Sequence, residues 1–276
     1  MSNSSRVVRF PSFAVGSYAE FEAYRQNHQS QLDGRYHHET GLASNDPTIS
    51  RSGSCAVCLR ATTYTSTTAN GEPQPDGRIM PNWREEQYCD CEDRLPQRGR
   101  ALLHFAQATK SLQPWTRLLL FGRPAIYDDR LAAMVHSTSQ IARMSRTTSE
   151  GEAGQRYRIE AEDGAFHAAV SSDALQHVPP LAAALTEIHR VLVPGGRLIF
   201  TVPFHFTDRE TVSRLDNLVP RNRLLPAEVE HDVHTIGWDI IDRLHDAGFE
   251  DAHAHTYWSN ELGYLGSYNA IFMAVR

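Results

Sequence analysis

The chain has 276 residues, of which 41% are hydrophobic and 22% charged, as is typical of a globular protein that is stable in water. Its net charge of -6 argues against a nucleic-acid-binding protein, which needs a basic face. No segment reaches the ~18 apolar residues of a membrane-spanning helix, and the first residues lack the apolar core of a signal peptide. We therefore expect a cytoplasmic protein that binds neither nucleic acid nor membranes.

Residues 1–50 are predicted to form a helical arm followed by a loop. Tyr18, Phe21 and Tyr24 recur at helical spacing within a predicted helix over about residues 17–32, so this face should pack against the rest of the protein. Residues 37–54 are rich in turn-forming side chains and are predicted to form a loop.

Residues 51–110 are predicted to form a small module that contains all of the cysteines of the chain: Cys55, Cys58, Cys89 and Cys91. Such clustering in a reducing compartment favours a metal site over disulfides. Four thiolates satisfy tetrahedral zinc and leave no open position for catalysis, so the zinc would be structural. The alternative is a set of free or redox-active cysteines. A helix is predicted over residues 93–110, at the end of the module.

Residues 111–276 are predicted to form one α/β domain in which strands alternate with helices. Short apolar runs predict strands over residues 117–121, 137–144, 156–161, 166–172, 197–204, 251–258 and 269–276. Amphipathic segments predict helices over residues 124–135, 179–192 and 237–249. This alternation indicates a doubly wound, mostly parallel sheet of the Rossmann-like type.

Three segments carry a family resemblance: VSSDALQHV (170–178), LTEIHRVL (185–192) and VPGGRLIFTVP (193–203). They resemble the second half of class I S-adenosylmethionine-dependent methyltransferases, where a strand, a helix and a PGG turn lead into the next strand. The resemblance extends over about residues 114–276 and is most specific for 166–204. A cysteine module ahead of such a domain is similar to members from biosynthetic pathways that modify sugars or natural products.

The resemblance implies S-adenosylmethionine as cofactor and a set of cofactor-binding residues: Gly122, Arg123, Ser171, Ser172, Asp173 and Gln176. The sequence departs from the family where the first strand ends, because FGRPAIYDD has one glycine where the family has several. Arg143 and Arg146 also stand where an acidic residue would bind the ribose. Three interpretations follow: altered contacts to the same cofactor, a different and anionic ligand, or a pseudoenzyme scaffold without a ligand.

Four histidines are candidate general bases: His177, His205, His231 and His234. We interpret the chain as an enzyme that transfers a methyl group to an oxygen or nitrogen of a small-molecule acceptor. The first alternative is a non-methylating enzyme with a second metal at Glu230, His231 and His234. The second alternative is the scaffold, as a homodimer or paired with an active relative.

Overall fold

The computed structural model describes residues 8–91, 93–121, 128–135, 158–178, 180–213 and 233–276. The strands are β1 (Ser12–Val15), β2 (Thr48–Cys55), β3 (Arg60–Thr67), β4 (Glu72–Pro73), β5 (Ile79–Met80), β6 (Gln87–Cys89), β7 (Leu118–Phe121), β8 (Phe166–Ser172), β9 (Leu192–Thr201), β10 (Val212–Ser213), β11 (His234–Thr235), β12 (Asp251–Ser259) and β13 (Tyr264–Val275). The helices are α1 (Tyr18–Asn27), α2 (Gln29–Leu42), α3 (Trp83–Glu86), α4 (Gln97–Ala108), α5 (Asp128–Ala133), α6 (Leu181–Val191) and α7 (Ile240–Asp246). None of the helices in these ranges combines the length and the apolar character needed to cross a bilayer.

A six-stranded sheet with the order β1-β12-β13-β9-β8-β7 forms the centre of the molecule. The strands β7, β8 and β9 are parallel, with Leu119 opposite Ala169 and Ala169 opposite Leu198. The C-terminal strands β12 and β13 form an antiparallel pair, and β13 joins the sheet beside β9. This architecture confirms the predicted Rossmann-like α/β fold and the predicted terminal strand pair.

Each face of the sheet covers its own hydrophobic core, because successive side chains of a strand point to opposite faces. Leu119, Leu198 and Phe200 contribute to the core shared with α1, α6 and α7. Leu118 and Ile199 contribute instead to the core shared with α4 and the cysteine module. The two cores bury both faces of β7, β8 and β9. This burial explains why these strands are almost continuously apolar in sequence.

The cysteine module is a three-stranded antiparallel sheet, in the order β2-β3-β6, that is fastened to the turn between β12 and β13. The Tyr64 hydroxyl lies 2.6 Å from the carbonyl oxygen of Ser54 and 2.8 Å from that of Leu262. Arg100, which is 1% exposed, donates to the carbonyl oxygens of Leu262 and Gly263. These buried polar contacts join the module to the central sheet directly.

The N-terminal arm contains the unpredicted strand β1, and its helix and loop also differ from the prediction. The single helix over residues 17–32 is divided at His28 into α1 and α2, and the predicted loop over 37–54 is wrong because α2 runs to Leu42 and β2 begins at Thr48. The turn-forming residues of β2 are held by a full antiparallel ladder with β3. The packing role of the arm is confirmed, since the Phe21 ring stacks on Trp238 at 5.0 Å.

The strand predicted over residues 156–161 is absent from its described part, residues 158–161. The backbone there is held by side chains of α6 instead of a neighbouring strand: Ile159 donates its N–H to Glu187, and its carbonyl accepts from Arg190. The strand predicted over residues 137–144 lies outside the described residues. The strand over 166–172 is confirmed with the same bounds. The strand over 117–121 and the helices over 93–110, 179–192 and 237–249 are confirmed with shorter bounds.

Candidate functional site

Four thiols meet at one end of the cysteine module. Cys55 ends β2 and Cys58 lies in the following turn, while Cys89 ends β6. The Sγ atoms of these residues and Cys91 all lie within 4.8 Å of one another. Tetrahedral zinc with Zn–S bonds of about 2.3 Å requires sulfurs about 3.8 Å apart, so the donor set fits such an ion. His104 lies apart from this cluster, buried against Tyr264 and the carbonyl oxygen of Val8.

The electrostatics of the cluster also favour a cation. The backbone N–H of Cys58 donates to Cys55 Sγ at 3.4 Å, as in a metal-binding knuckle. A hydrogen bond to Cys89 and burial raise the pKa of the Cys55 thiol, and burial raises that of Cys58 to about 12. Hydrogen bonding from Cys55 lowers the pKa of Cys89 to about 5. Without a cation, the thiols resist ionising together, because neighbouring thiolates repel each other.

The second group of polar residues lies at the carboxyl edge of β8. Arg84, in α3, donates to both carboxylate oxygens of Asp173 at 2.9 and 2.7 Å, and Arg98, in α4, lies 3.3 Å from the same carboxylate. Thr201 of β9 donates to it as well, at 2.9 Å. Burial acts to raise the pKa of Asp173, but the two guanidinium groups outweigh it and lower that pKa below its ordinary value.

The backbone of Asp173 adopts a conformation that non-glycine residues rarely use, with φ at 46°. Its N–H donates to the carbonyl oxygen of Thr201 at 2.9 Å, and its own carbonyl accepts from the Gln176 side chain. Such positions persist only where the surroundings enforce them, and they concentrate at functional sites. The structure thus holds the Asp173 corner rigidly, at the position where the resemblance implies cofactor binding.

Two of the implied cofactor-binding residues have buried polar atoms without a partner among the described residues: Ser171 Oγ and Gln176 Oε1. Ser172, beside them, contacts Arg98. Buried polar atoms are normally hydrogen-bonded, so two orphans on one short segment mark a place that a ligand could complete. Gly122 and Arg123, the other two members of the set, lie outside the described residues.

Three of the four candidate bases lie in the described ranges, and His231 does not. His177 ends the 3-10 turn Leu175–His177, directly after the Asp173 corner. His234 lies beside that turn, where its Nε2–H donates to the carbonyl oxygen of Val178 at 3.0 Å. Burial lowers the pKa of His234, which keeps its imidazole neutral near pH 7. The second metal proposed at Glu230, His231 and His234 has only His234 among the described residues.

His205 lies in a different environment, exposed in a cleft of about 680 Å³ between the cysteine module, α2 and β13. Arg84 lines the same cleft and reaches Asp173. The cleft therefore adjoins the carboxyl edge of β8. Its volume is within the range of small-molecule sites, about 300–1,000 Å³. The lining residues are Glu39, Asn70, Gly71, Glu72, Pro73, Met80, Pro81, Asn82, Trp83, Arg84, His205, Gly266, Ser267 and Asn269.

The sequence analysis missed Glu39, Arg84 and Arg98. Glu39 lies in a segment predicted as loop, and its partners Trp258 and Gly266 are 219 and 227 residues away. Arg84 and Asp173 are separated by 89 residues. No local pattern could have paired them. The one available signal was that Arg84 and Arg98 flank the second cysteine pair in the sequence. A metal bound there would hold this part of the chain beside the sheet.

The chain is similar to known proteins over part of its length. Residues 128–200 match the family model described as "Methyltransferase domain". A protein described as "Uncharacterized 37.1 kDa protein in transposon TN4556", from Streptomyces fradiae, is 35% identical over 95 residues, which are 33% of this chain and 28% of that protein. The chain thus matches little more than a quarter of that relative's length.

Solved structures with similar folds include a SAM-dependent methyltransferase from Aquifex aeolicus, at 16% identity and a TM-score of 0.37 over 63% of this chain and 87% of that one. Another is an S-adenosylmethionine-dependent methyltransferase from Mesorhizobium loti, at 14% identity and a TM-score of 0.38 over 63% of this chain and 98% of that one. The family match includes α5, β8, α6 and β9, with the Asp173 corner between them. Residues 128–200 are therefore similar to a methyltransferase domain.

Proposed function

We propose that the protein transfers a methyl group from S-adenosylmethionine to an oxygen or nitrogen of a small-molecule acceptor. The observation that carries this proposal is the Asp173 corner, which ends β8 within the region that matches the methyltransferase family. In open α/β sheets, ligands bind beyond the carboxyl ends of the strands.

The residues at this edge suit a polar ligand. Ser171 and Gln176 offer a hydroxyl and an amide oxygen that no described residue satisfies. We assign these two, with Ser172, Asp173, Gly122 and Arg123, to the cofactor site. Bound S-adenosylmethionine supplies an electrophilic methyl group on its sulfonium.

The contribution of the chain would be to align the acceptor and to accept its proton. His205 is exposed in the cleft beside Arg84, so we propose it as the residue that takes the proton. His177 lies in the turn that follows the Asp173 corner, and the neighbouring His234 is already hydrogen-bonded to Val178. We assign these two and His231 the secondary role of shaping the acceptor side of the site.

We also propose that Cys55, Cys58, Cys89 and Cys91 hold a structural zinc ion. The close clustering of the four sulfurs supports this proposal. The ion would fix β6, and thereby the neighbouring α3 that carries Arg84.

Calorimetric titration of the full-length protein with S-adenosylmethionine and S-adenosylhomocysteine tests the cofactor assignment. We expect saturable binding of both, weakened about fivefold in Ser171→Ala by the loss of one hydrogen bond. Ser66→Ala is a matched control, because Ser66 also has a buried hydroxyl without a described partner but lies in the cysteine module. It should bind both ligands like the wild type.

Absence of heat at millimolar ligand, with protein that unfolds cooperatively, would overturn the proposal of methyl transfer. Binding of inorganic phosphate or a nucleotide instead would favour the interpretation of a different, anionic ligand. If Ser171→Ala and Ser66→Ala weakened ligand binding equally, the assignment of Ser171 to the cofactor site would be wrong.

A further inference from the structure

Glu39 is a buried carboxylate with one occupied oxygen and one unoccupied oxygen. It is 1% exposed, and its Oε1 accepts from the indole N–H of Trp258 at 2.6 Å and from the backbone N–H of Gly266 at 2.8 Å. Its Oε2 accepts no hydrogen bond from the described residues. Glu39 lines the 680 Å³ cleft, so Oε2 is available to a ligand there.

The surroundings make an uncompensated charge at Glu39 costly. Burial raises its pKa, and the hydrogen bonds from Trp258 and Gly266 offset this effect only in part. Glu39 forms no ion pair within the part of the chain that the structure describes. It also lies in the last turn of α2, where the helix dipole disfavours a negative charge. A buried carboxylate in such a place is stabilised by a cation.

The segment that holds Glu39 is rigid and specifically built. Gly266 has φ at 107°, which favours glycine. The neighbouring residue Leu265 exchanges two hydrogen bonds with the buried Gln97 side chain, and Asn269 donates to the carbonyl oxygens of Leu265 and Gly266. These contacts fix the Gly266 N–H that holds the carboxylate. The unoccupied oxygen is therefore presented in one defined position.

The lining of the cleft includes four apolar or aromatic side chains, those of Trp83, Met80, Pro81 and Pro73. Trp83 is 3% exposed, and its indole N–H has no partner among the described residues. The cleft thus combines one buried anion with an apolar surface, which suits an organic cation better than a fully hydrated ion.

We propose that Glu39 binds the ammonium group of a small amine whose apolar body lies against Trp83 in this cleft. The inference does not depend on methyl transfer, because it needs only the cleft and its carboxylate. If the protein does methylate a small acceptor, the amine would be that acceptor, with Glu39 as a binding residue.

A pair of isosteric probes tests the charge requirement: phenethylamine, which is cationic at pH 7.5, and the neutral 2-phenylethanol. Binding to the full-length wild-type protein is measured by ligand-observed NMR titration. We expect the amine to bind about tenfold more tightly than the alcohol, as a charge-assisted hydrogen bond predicts. Equal affinities, or binding of neither probe, would overturn the proposal without reference to cofactor binding.

The variant Glu39→Gln keeps an oxygen for Trp258 and Gly266 and removes only the charge. We expect its affinity for phenethylamine to fall to that for 2-phenylethanol. Glu72→Gln is the matched control, since Glu72 is an exposed acid of the same cleft. It should keep the tenfold preference. A preference lost in both variants, or kept in Glu39→Gln, would contradict the assignment, and thermal unfolding verifies that each variant is folded.

Discussion

Arg84 and Asp173 form a bidentate ion pair that joins the cysteine module to the carboxyl edge of the central sheet. The pair is partly buried, with side-chain exposures of 23% and 16%, and both oxygens of Asp173 are engaged. Removing one partner of such a pair leaves the other charge without compensation.

Arg84→Met should therefore lower the free energy of unfolding. We expect a loss of about 2 kcal/mol, less than for a fully buried pair because Arg98 still faces Asp173. Urea denaturation monitored by far-UV circular dichroism measures it. Arg243→Met is the control, since Arg243 and Asp239 form a more exposed pair four residues apart that should contribute less. If both variants lost the same free energy of unfolding, the Arg84–Asp173 pair would contribute no more than a more exposed pair.

The cysteine cluster predicts a metal-dependent fold. The purified protein should contain stoichiometric zinc. Cys91→Ser should lose most of this zinc and more than about 3 kcal/mol of its free energy of unfolding, so it should unfold at a lower temperature. Elemental analysis and scanning calorimetry measure the two effects. Ser54→Ala, one residue before Cys55, should keep the metal. A wild-type protein whose melting temperature is the same with and without metal would refute the zinc assignment.

His255 predicts a loss of stability in mild acid. Burial, followed by the nearby His253, lowers the pKa of His255 to about 4, and its Nε2 has no partner among the described residues. The unfolded chain takes up a proton at this residue near pH 6.5, whereas the folded protein resists it down to about pH 4. The stabilising contribution is therefore complete above pH 6.5 and declines as the pH falls through this window.

His255→Phe removes the group that takes up this proton in the unfolded chain. Between pH 6.5 and 4, the variant should lose about 1–3 kcal/mol less stability than the wild type. Urea unfolding at several pH values measures this difference. His37→Phe is the control, because His37 is exposed on α2. Parallel pH profiles for the wild type and His255→Phe would contradict the assignment.

Gly53 and Gly263 allow the Tyr64 ring to pack between β2 and the turn before β13. A Cβ at Gly263 would lie 2.5 Å from Tyr64 Cε2 and 2.8 Å from Gln87 Oε1, and φ there is 61°. Gly263→Ala should therefore destabilise the protein by more than about 2 kcal/mol. Gly34→Ala, where nothing lies within 4 Å in the middle of α2, should instead stabilise it by about 0.5–1 kcal/mol. Differential scanning calorimetry compares the two, and a stable Gly263→Ala variant would disprove the close packing.

The sequence was sufficient for the central strands because their information is local. The apolar runs of β7 and β8 and the amphipathic face of α6 each reveal their burial within a few residues. The same approach failed for β2, whose sequence TISRSGSC has no strand character of its own. That strand is determined by pairing with β3, which no window of adjacent residues can show.

In the candidate site, too, some residues could be predicted from local sequence and others could not. The four cysteines were found because metal ligands come in closely spaced pairs, and Asp173 because it ends a recognisable strand. The charges that act on Asp173 and the donors that hold Glu39 lie far away along the chain. Their identity depends on the docking of the module and of α2, which is a property of the tertiary structure alone.

The docking of the cysteine module has a practical consequence for anyone who shortens this protein. A fragment that begins at residue 111 would retain the strand that ends at Asp173 but would lose both guanidinium groups and the α4 helix that covers Leu118 and Ile199. Its exposed apolar face would invite aggregation. Recombinant expression should therefore keep both parts in a single polypeptide.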